Sequence, residues 1–323
     1  MPRCAGRFPC VLTLPAFGLV FREYLTLRGC VSVTAMMGRL IAENKKLLLR
    51  FFGEWTINPY AYCSLRCTYC SMDSQGRSRP MLSHRYIDNQ LRVQLRAAPP
   101  GEAVALGKFS ELYPPEEAQL QISRHLLQML AEENIPFTIA TKSDLVLRDV
   151  DILQADACKR VMISAGITDE KAVARIEPLA PSFARRVEIV RQLVDAGLVT
   201  HVSAMPWIPG LSDTQTLIER LTGMTQVVFG ALSLMEETEN SVREELGYRA
   251  PTAKRAFGKS FTQQQLNQAY LAEALKYFDY PNTAWAPPRN TAISRRKGPG
   301  TTMDRKELDE ALRELDMVAA AAS

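Results

Sequence analysis

Between residues 54 and 235 the chain alternates short, continuous apolar runs with longer stretches whose apolar positions recur at helical spacing. The apolar runs at 55–60, 103–107, 136–142, 160–164, 199–205 and 226–232 predict six strands. The runs at 116–133 and 182–196 predict helices, the second stopped by Gly197, and 217–221 predicts a short one. Continuous apolar strands separated by amphipathic helices imply a parallel sheet covered by helices. Six such units fall short of the eight that close a barrel. The predicted fold is therefore α/β, an open, partial (βα)6 TIM-like barrel with its site at the carboxyl ends of the strands.

The flanks read differently. Residues 1–35 hold Cys4, Cys10 and Cys30 but no Asp and a single Glu, and read as a flexible extension outside the fold. The spacing of those cysteines fits no metal site. An amphipathic run over 40–52 follows Met36 and leads into the barrel, taken as 36–235. The region 236–323 reads as a mainly helical extension, with helices at 263–277 and 304–318. The second carries Leu308, Leu312 and Leu315 on one stripe and reads as a docking helix.

Composition narrows the class. The chain has 323 residues, 46% hydrophobic and 23% charged, which suits one large globular domain. A net charge of +4 is too mild to argue for a nucleic-acid surface. The short basic run Arg295-Arg296-Lys297 borders Gly298 and reads as a linker. No apolar run reaches the roughly 18 residues of a membrane span. Seven cysteines, without a secretory signal, point to reduced thiols and a cytoplasmic setting.

Chemistry concentrates at Cys63, Cys67 and Cys70, spaced C-x3-C-x2-C with Tyr69 just before the last. Thiolates bind soft iron, and three on one tight turn cap one face of a [4Fe-4S] cluster. Three ligands leave one iron open to a small molecule bearing amine and carboxylate groups. A zinc site would need a further Cys or His pair nearby, and none follows. With Thr141-Lys142, the 175–178 stretch and the run Met205-Pro206-Trp207-Ile208-Pro209-Gly210, this loop resembles the spore-photoproduct-lyase-like branch of the radical SAM superfamily over roughly residues 54–235.

That resemblance implies S-adenosyl-L-methionine (SAM) as the second cofactor and a 5′-deoxyadenosyl radical that removes hydrogen from substrate. It implies an electron donor such as flavodoxin or ferredoxin. It places Tyr69, Ser110, Lys142, Ser164 and Ala204 with the cofactor, and Glu111, Arg175 and Glu177 with catalysis. Lys142 would pair with the carboxylate or ribose side of SAM. Glu111 or Glu177 would serve as base or orienting group. Arg175 and Glu177 also read as a surface pair, Trp207 as pocket wall or packing, and His84, His125 and His201 as structural.

Departures from the family bear on the reaction. Spore photoproduct lyase returns hydrogen from a cysteine at the end of the second strand, where this chain reads Gly107-Lys108-Phe109-Ser110-Glu111. Ser71 stands where that branch commonly has tyrosine, and Cys158 lies before the fourth strand. The expected substrate is a small sugar or nucleoside, with decarboxylation or elimination in secondary metabolism. The resemblance then extends to the cytosylglucuronate decarboxylase type of blasticidin-like nucleoside pathways. The alternative is lesion repair on DNA.

Overall fold

The computed structural model describes residues 48–51, 54–61, 63–70, 79–97, 102–108, 110–232, 262–288, 290–297 and 301–321. The expectations for residues 1–35, most of 40–52, Ser71 and Phe109 lie outside these.

An eight-stranded sheet forms the body of the molecule. Strands β1 (Leu49–Phe51) and β2 (Glu54–Ile57) pair antiparallel at one edge. From β2 the sheet runs parallel through β5 (Val104–Leu106), β6 (Phe137–Thr141), β7 (Cys158–Ser164), β8 (Thr200–Trp207), β9 (Gln226–Ala231) and β10 (Thr283–Trp285). A separate two-residue ladder joins β3 (Tyr60–Ala61) to β4 (Arg79–Pro80). The six predicted parallel strands are all present, in sequence order. The partial barrel is thus as expected, with a seventh parallel strand added from the C-terminal region.

Side-chain alternation gives the sheet two faces. Val161 and Ile163 of β7 and Val202 of β8 are fully buried, in one core with Ile189, Val190 and Leu193 of helix α6 (Phe183–Asp195). Arg160, Met162 and Ser164 alternate with them onto the opposite, half-exposed face, beside His201 and Met205. That second face lines the open interior.

Helix α1 starts at His84–Tyr86, continues through a π turn at Ile87–Leu91 and ends as Arg92–Arg96. The single helix expected at 116–133 is divided. Helix α2 (Glu117–Leu120) ends at Gln121, whose φ is 50°, and α3 (Ile122–Glu132) begins there. The buried Glu117 carboxylate accepts the N–H groups of Ser123 (2.9 Å) and Arg124 (3.1 Å). It thereby satisfies donors that a new helix start would leave unpaired. A 3-10 turn at Asp144–Asp149 leads into α4 (Val150–Leu153). Beyond β7 come α5 (Glu170–Ile176) and α6, each started by a side chain: Asp169 accepts from Ala172 N–H at 2.6 Å and Ser182 from Arg185 N–H at 3.1 Å. Helix α7 (Thr214–Leu221) precedes β9.

The C-terminal stretch contributes α8 (Gln263–Tyr277), α9 (Ala292–Lys297) and α10 (Arg305–Ala321) around β10. Aromatic packing holds β10 in the sheet. Trp285 stacks on Phe229 with centroids 4.3 Å apart, and Tyr270 of α8 tilts against it at 5.5 Å. The Tyr270 hydroxyl lies 2.9 Å from the Ala286 carbonyl and 3.0 Å from that of Phe229. No helix among the described residues is long and apolar enough to cross a membrane.

Gly107, directly after β5, has φ +77°, and a Cβ there would lie 2.1 Å from the Ala140 carbonyl oxygen. Gly107→Ala is expected to lower the urea midpoint by at least ~2 kcal/mol equivalent, since both backbone strain and a clash must be relieved. An unchanged midpoint would show that the turn can relax.

Candidate functional site

The loop after β3 carries the three cysteines to the carboxyl end of the sheet. Arg66, at φ 52°, makes the tight turn between Cys63 and Cys67. The Cys70 N–H donates to the Cys67 carbonyl at 3.1 Å. Thr68 N–H donates to the carbonyl of Ile176, the last residue of α5, at 2.8 Å, and the Ser64 hydroxyl donates to Glu116 at 2.8 Å. The loop is therefore tied to two different strand-end connections. None of the three cysteines is in a disulfide; Cys67 is buried and Cys63 and Cys70 are half-buried.

Behind the loop lies a buried polar group that sequence reading did not assemble. Glu177, directly after α5, accepts hydrogen bonds from the Tyr69 hydroxyl and from Arg186 Nη2 of α6. Glu177 is 1% exposed and the Arg186 side chain 0%. Arg186 also donates from Nε to the Pro181 carbonyl at 2.8 Å and from Nη1 to the Ser164 carbonyl at 3.3 Å. The position in the helix gave no signal for Arg186, because an arginine at helical spacing normally reads as a solvated face. A buried guanidinium is stable here because a carboxylate and two carbonyls satisfy it.

Electrostatics follow from burial and these pairs. Burial pushes the Cys63 thiol up to about 11, with Glu111 and Cys70 adding to it. Burial likewise takes Cys67 up to about 12, although Lys142 pulls it down. Both thiols are protonated at neutral pH unless a metal takes the place of the proton. Burial works against the charge of Lys142, yet Cys67, Glu177 and Glu111 outweigh it and hold the ammonium above its usual range. Burial also works against the Glu177 carboxylate, but Arg186 and Lys142 keep it below the usual range. Burial, then Cys67 and Glu177, drive the Tyr69 phenol well above its ordinary value.

The other expected residues fall as follows. Ser110 is buried and its hydroxyl donates to the Tyr60 carbonyl at 2.7 Å, fixing the start of the cysteine loop. Lys142 follows β6, and Ser164 ends β7 with its hydroxyl 3.3 Å from the Met205 carbonyl. Ala204 is fully buried in β8, where a Cβ on Gly166 would meet the Pro206 carbonyl oxygen at 2.4 Å. Backbone approaches backbone too closely there for a side chain between them.

The expected catalytic residues are placed as follows. The carboxylate of Glu111, expected to act on substrate, accepts from the Thr141 hydroxyl, from Lys142 N–H at 3.0 Å and from Tyr113 N–H at 2.9 Å. Glu177 is likewise committed to Tyr69 and Arg186. Each carboxylate is engaged by protein donors, three at Glu111 and two at Glu177. Arg175 lies on α5 itself, exposed, rather than in a loop with Glu177. Trp207 is buried and donates from Nε1 to Thr214 at 3.0 Å, so it is packing. Cys158 begins β7, at the opposite end from Ser164.

Among the described residues no three His, Cys, Asp or Glu close around a single metal ion. The three thiols are thus not a one-ion site. A cube bound through three different irons needs three thiols on one loop, and these cysteines, with the Lys142 charge acting on Cys67, fit that group.

The Radical SAM superfamily profile matches residues 57–221. An uncharacterised protein of Methanocaldococcus jannaschii is 25% identical over 169 residues, covering 51% of this chain and 65% of that protein. An uncharacterised protein of Mycobacterium tuberculosis is 27% identical over 193 residues, 53% of this chain and 54% of that one. The chain therefore matches less than two thirds of the length of these curated relatives. Among solved structures, spore photoproduct lyase complexed with dinucleoside spore photoproduct superposes with TM-score 0.55 at 13% identity, covering 81% of this chain and 87% of that one. Streptococcus suis SuiB bound to S-adenosylmethionine superposes with TM-score 0.50 at 17% identity, over 82% of this chain and 59% of that one. These two share the fold. The chain belongs to the radical SAM superfamily, whose cofactors are SAM and a [4Fe-4S] cluster.

The buried pair gives a stability test. Arg186→Met strands the Glu177 carboxylate and is expected to cost about 3–5 kcal/mol in urea unfolding, while Glu177→Gln combined with Arg186→Met costs less. The folded Glu177 carboxyl releases its proton more readily than an unfolded one. Its contribution is therefore full above about pH 4.3 and lost as pH falls through the folded value. The double variant should lose that part of the acid dependence. An equal cost for single and double variants would show that the pair is not coupled.

Proposed function

We propose that this chain cleaves SAM reductively and acts on a small polar substrate of sugar or nucleoside type. The observation that carries the proposal is the cysteine loop, tied to the strand ends and facing the half-buried Lys142. Cys63, Cys67 and Cys70 hold the cluster. Bound there, cluster and SAM supply an electron and a 5′-deoxyadenosyl radical able to take a hydrogen atom from substrate.

The protein's own groups orient and enclose. Lys142 offers an ammonium to the SAM carboxylate. Ser110 and Ser164 fix the backbone at two strand ends, and the Gly166–Ala204 approach leaves a flat wall for the adenine. Tyr69 belongs to the cofactor face, and Glu177 with Arg186 sets its position. One electron per cycle comes from a donor such as flavodoxin or ferredoxin, in a cytoplasm where thiols stay reduced.

The fate of the substrate radical is read from the available hydrogen donors. No cysteine stands after β5, where the turn reads Gly107-Lys108-Phe109-Ser110-Glu111. Cys158 and Ser164 are the two ends of β7, which a strand rise separates by about 20 Å. A thiol at that distance returns no hydrogen atom. This favours decarboxylation or elimination, a carboxy-lyase type of reaction, over spore photoproduct repair; the substrate radical loses carbon dioxide or a leaving group and reaches a closed shell by passing one electron to the flavodoxin- or ferredoxin-type carrier, or by taking one electron from it with a proton from water. The sugar acid of a nucleoside is the substrate class that fits.

Single Cys63→Ala, Cys67→Ala and Cys70→Ala variants are expected to lose the brown charge-transfer absorbance after anaerobic reconstitution, and with it SAM cleavage. A triple variant that still binds four irons would overturn the assignment. Reduced protein with SAM should turn over a sugar-acid nucleoside, followed by mass spectrometry, and leave a thymine photoproduct oligonucleotide unchanged. Repeated turnover of the oligonucleotide, blocked by Cys158→Ala, would establish repair instead.

A further inference from the structure

The lower half of the open interior carries charge that none of the assigned roles uses. Arg160 of β7 alternates with the fully buried Val161 and Ile163, so its side chain lies on the interior face. Sheet register sets it beside Thr138 of β6, and the next interior residue, Met162, beside His201 of β8. Lys108, after β5, reaches the same region and forms an ion pair with Glu54 of β2. Burial, then the Arg160 charge, hold the ammonium of Lys108 and the imidazole of His201 each below its usual range.

Arg160 is the unusual member. It is half-buried, and its buried Nε has no hydrogen-bond partner. Glu54, the carboxylate at hand, is engaged by Lys108. A buried Nε without an acceptor carries a desolvation cost that nothing among the described residues offsets. Its planar fork is the donor set that carboxylates and phosphates take up in pairs.

We propose that Arg160, with His201 beside it, is a binding site for the anionic group of the substrate, a carboxylate or phosphate on a small molecule. The proposal rests on the reading of this interior as the substrate chamber and names what the substrate must carry. Four residues of β7 separate Arg160 from Ser164, so the anion site lies roughly 13 Å below the cofactor end. A sugar acid or nucleotide held there by its charge extends its carbon skeleton toward Lys142 and the cysteine loop. Neutral sugars of the same size would find no partner for Arg160.

The test is titration calorimetry of the full chain, with SAM present, against D-glucuronate, D-glucose and inorganic phosphate. Glucuronate and phosphate should bind and glucose should not. Arg160→Met should weaken anion binding about ten- to a hundredfold, the loss of a charge-assisted pair, while Arg160→Lys keeps the charge but not the fork and falls between the two. SAM affinity should stay unchanged in both, which shows that the fold and the cofactor end are intact. Equal binding of glucose and glucuronate, or anion binding unaffected by Arg160→Met, would overturn the proposal. So would a thymidine dinucleotide that binds through Arg160 more tightly than glucuronate, because the occupant would then be nucleic acid. SAM cleavage by the reduced protein is read separately: its absence would sink the reaction proposed above, and leaves the anion site to be decided by the titrations.

Discussion

Alternation along β7 and the first part of β8 governs which of their side chains face the interior. One set of side chains, Val161, Ile163 and Val202, must be covered by α6 for the sheet to be stable. The other set is then forced into the open interior. Ser164, Met162 and Arg160 follow from that parity alone, as do Met205 and His201. A shift by one residue would send Arg160 into the helix layer and the isoleucine into the chamber. The fold and the chamber lining are therefore one constraint seen from two sides.

The cysteine loop needs a second kind of restraint, because two residues of β3 cannot hold eight residues of loop in place. Buried polar contacts supply it. Ser110 fastens the Tyr60 carbonyl, the Tyr60 hydroxyl donates to Glu117, and Arg148 pairs with Glu117 at 2.9 Å and with Asp149 at 2.7 Å. On the other side Thr68 is tied to α5, and Tyr69 to Glu177 and through it to Arg186. The anchors come from the β5–β6, β6–β7 and β7–β8 connections. Buried pairs of this sort add little net stability but penalise misplacement, since any one broken partner leaves a charge without solvation. That is a sensible way to hold a cluster loop whose own backbone has few regular hydrogen bonds.

The strands were legible because a buried parallel strand is a continuous apolar run, and six of them stood in order. Strand β10 was not, because its three residues sit among prolines and gain their place from stacking on Phe229 and Tyr270, a tertiary effect. The break at Gln121 was hidden too, since it depends on a glutamate turned back to cap the next helix. The cysteines were legible from spacing, whereas the roles of Glu111 and Glu177 were not. A carboxylate looks the same in sequence whether it faces substrate or is engaged by a hydroxyl, an N–H or an arginine nine residues away. Arg186 and Arg160 show the same limit from the cationic side. One is fully satisfied and the other is not, and only the folded neighbourhood tells them apart.

The distribution of satisfied and unsatisfied charge points to the chemistry the chamber is built for. Glu111 and Glu177 both accept hydrogen bonds from the scaffold, which leaves them less available as bases in the chamber. Its available charges are cations at two depths, Lys142 near the cysteines and Arg160 toward the floor. A reaction that needed a proton removed from carbon or oxygen would be poorly served by such walls. On the proposed reading, a reaction that starts with hydrogen-atom abstraction and proceeds with the substrate's own anion held in place would use a cation near the cofactor, a cation for the substrate, and the Met162 and Met205 side chains between them. Specificity would then come from the spacing of Lys142, just after β6, and Arg160 of β7, which the register of two adjacent strands fixes more rigidly than any loop.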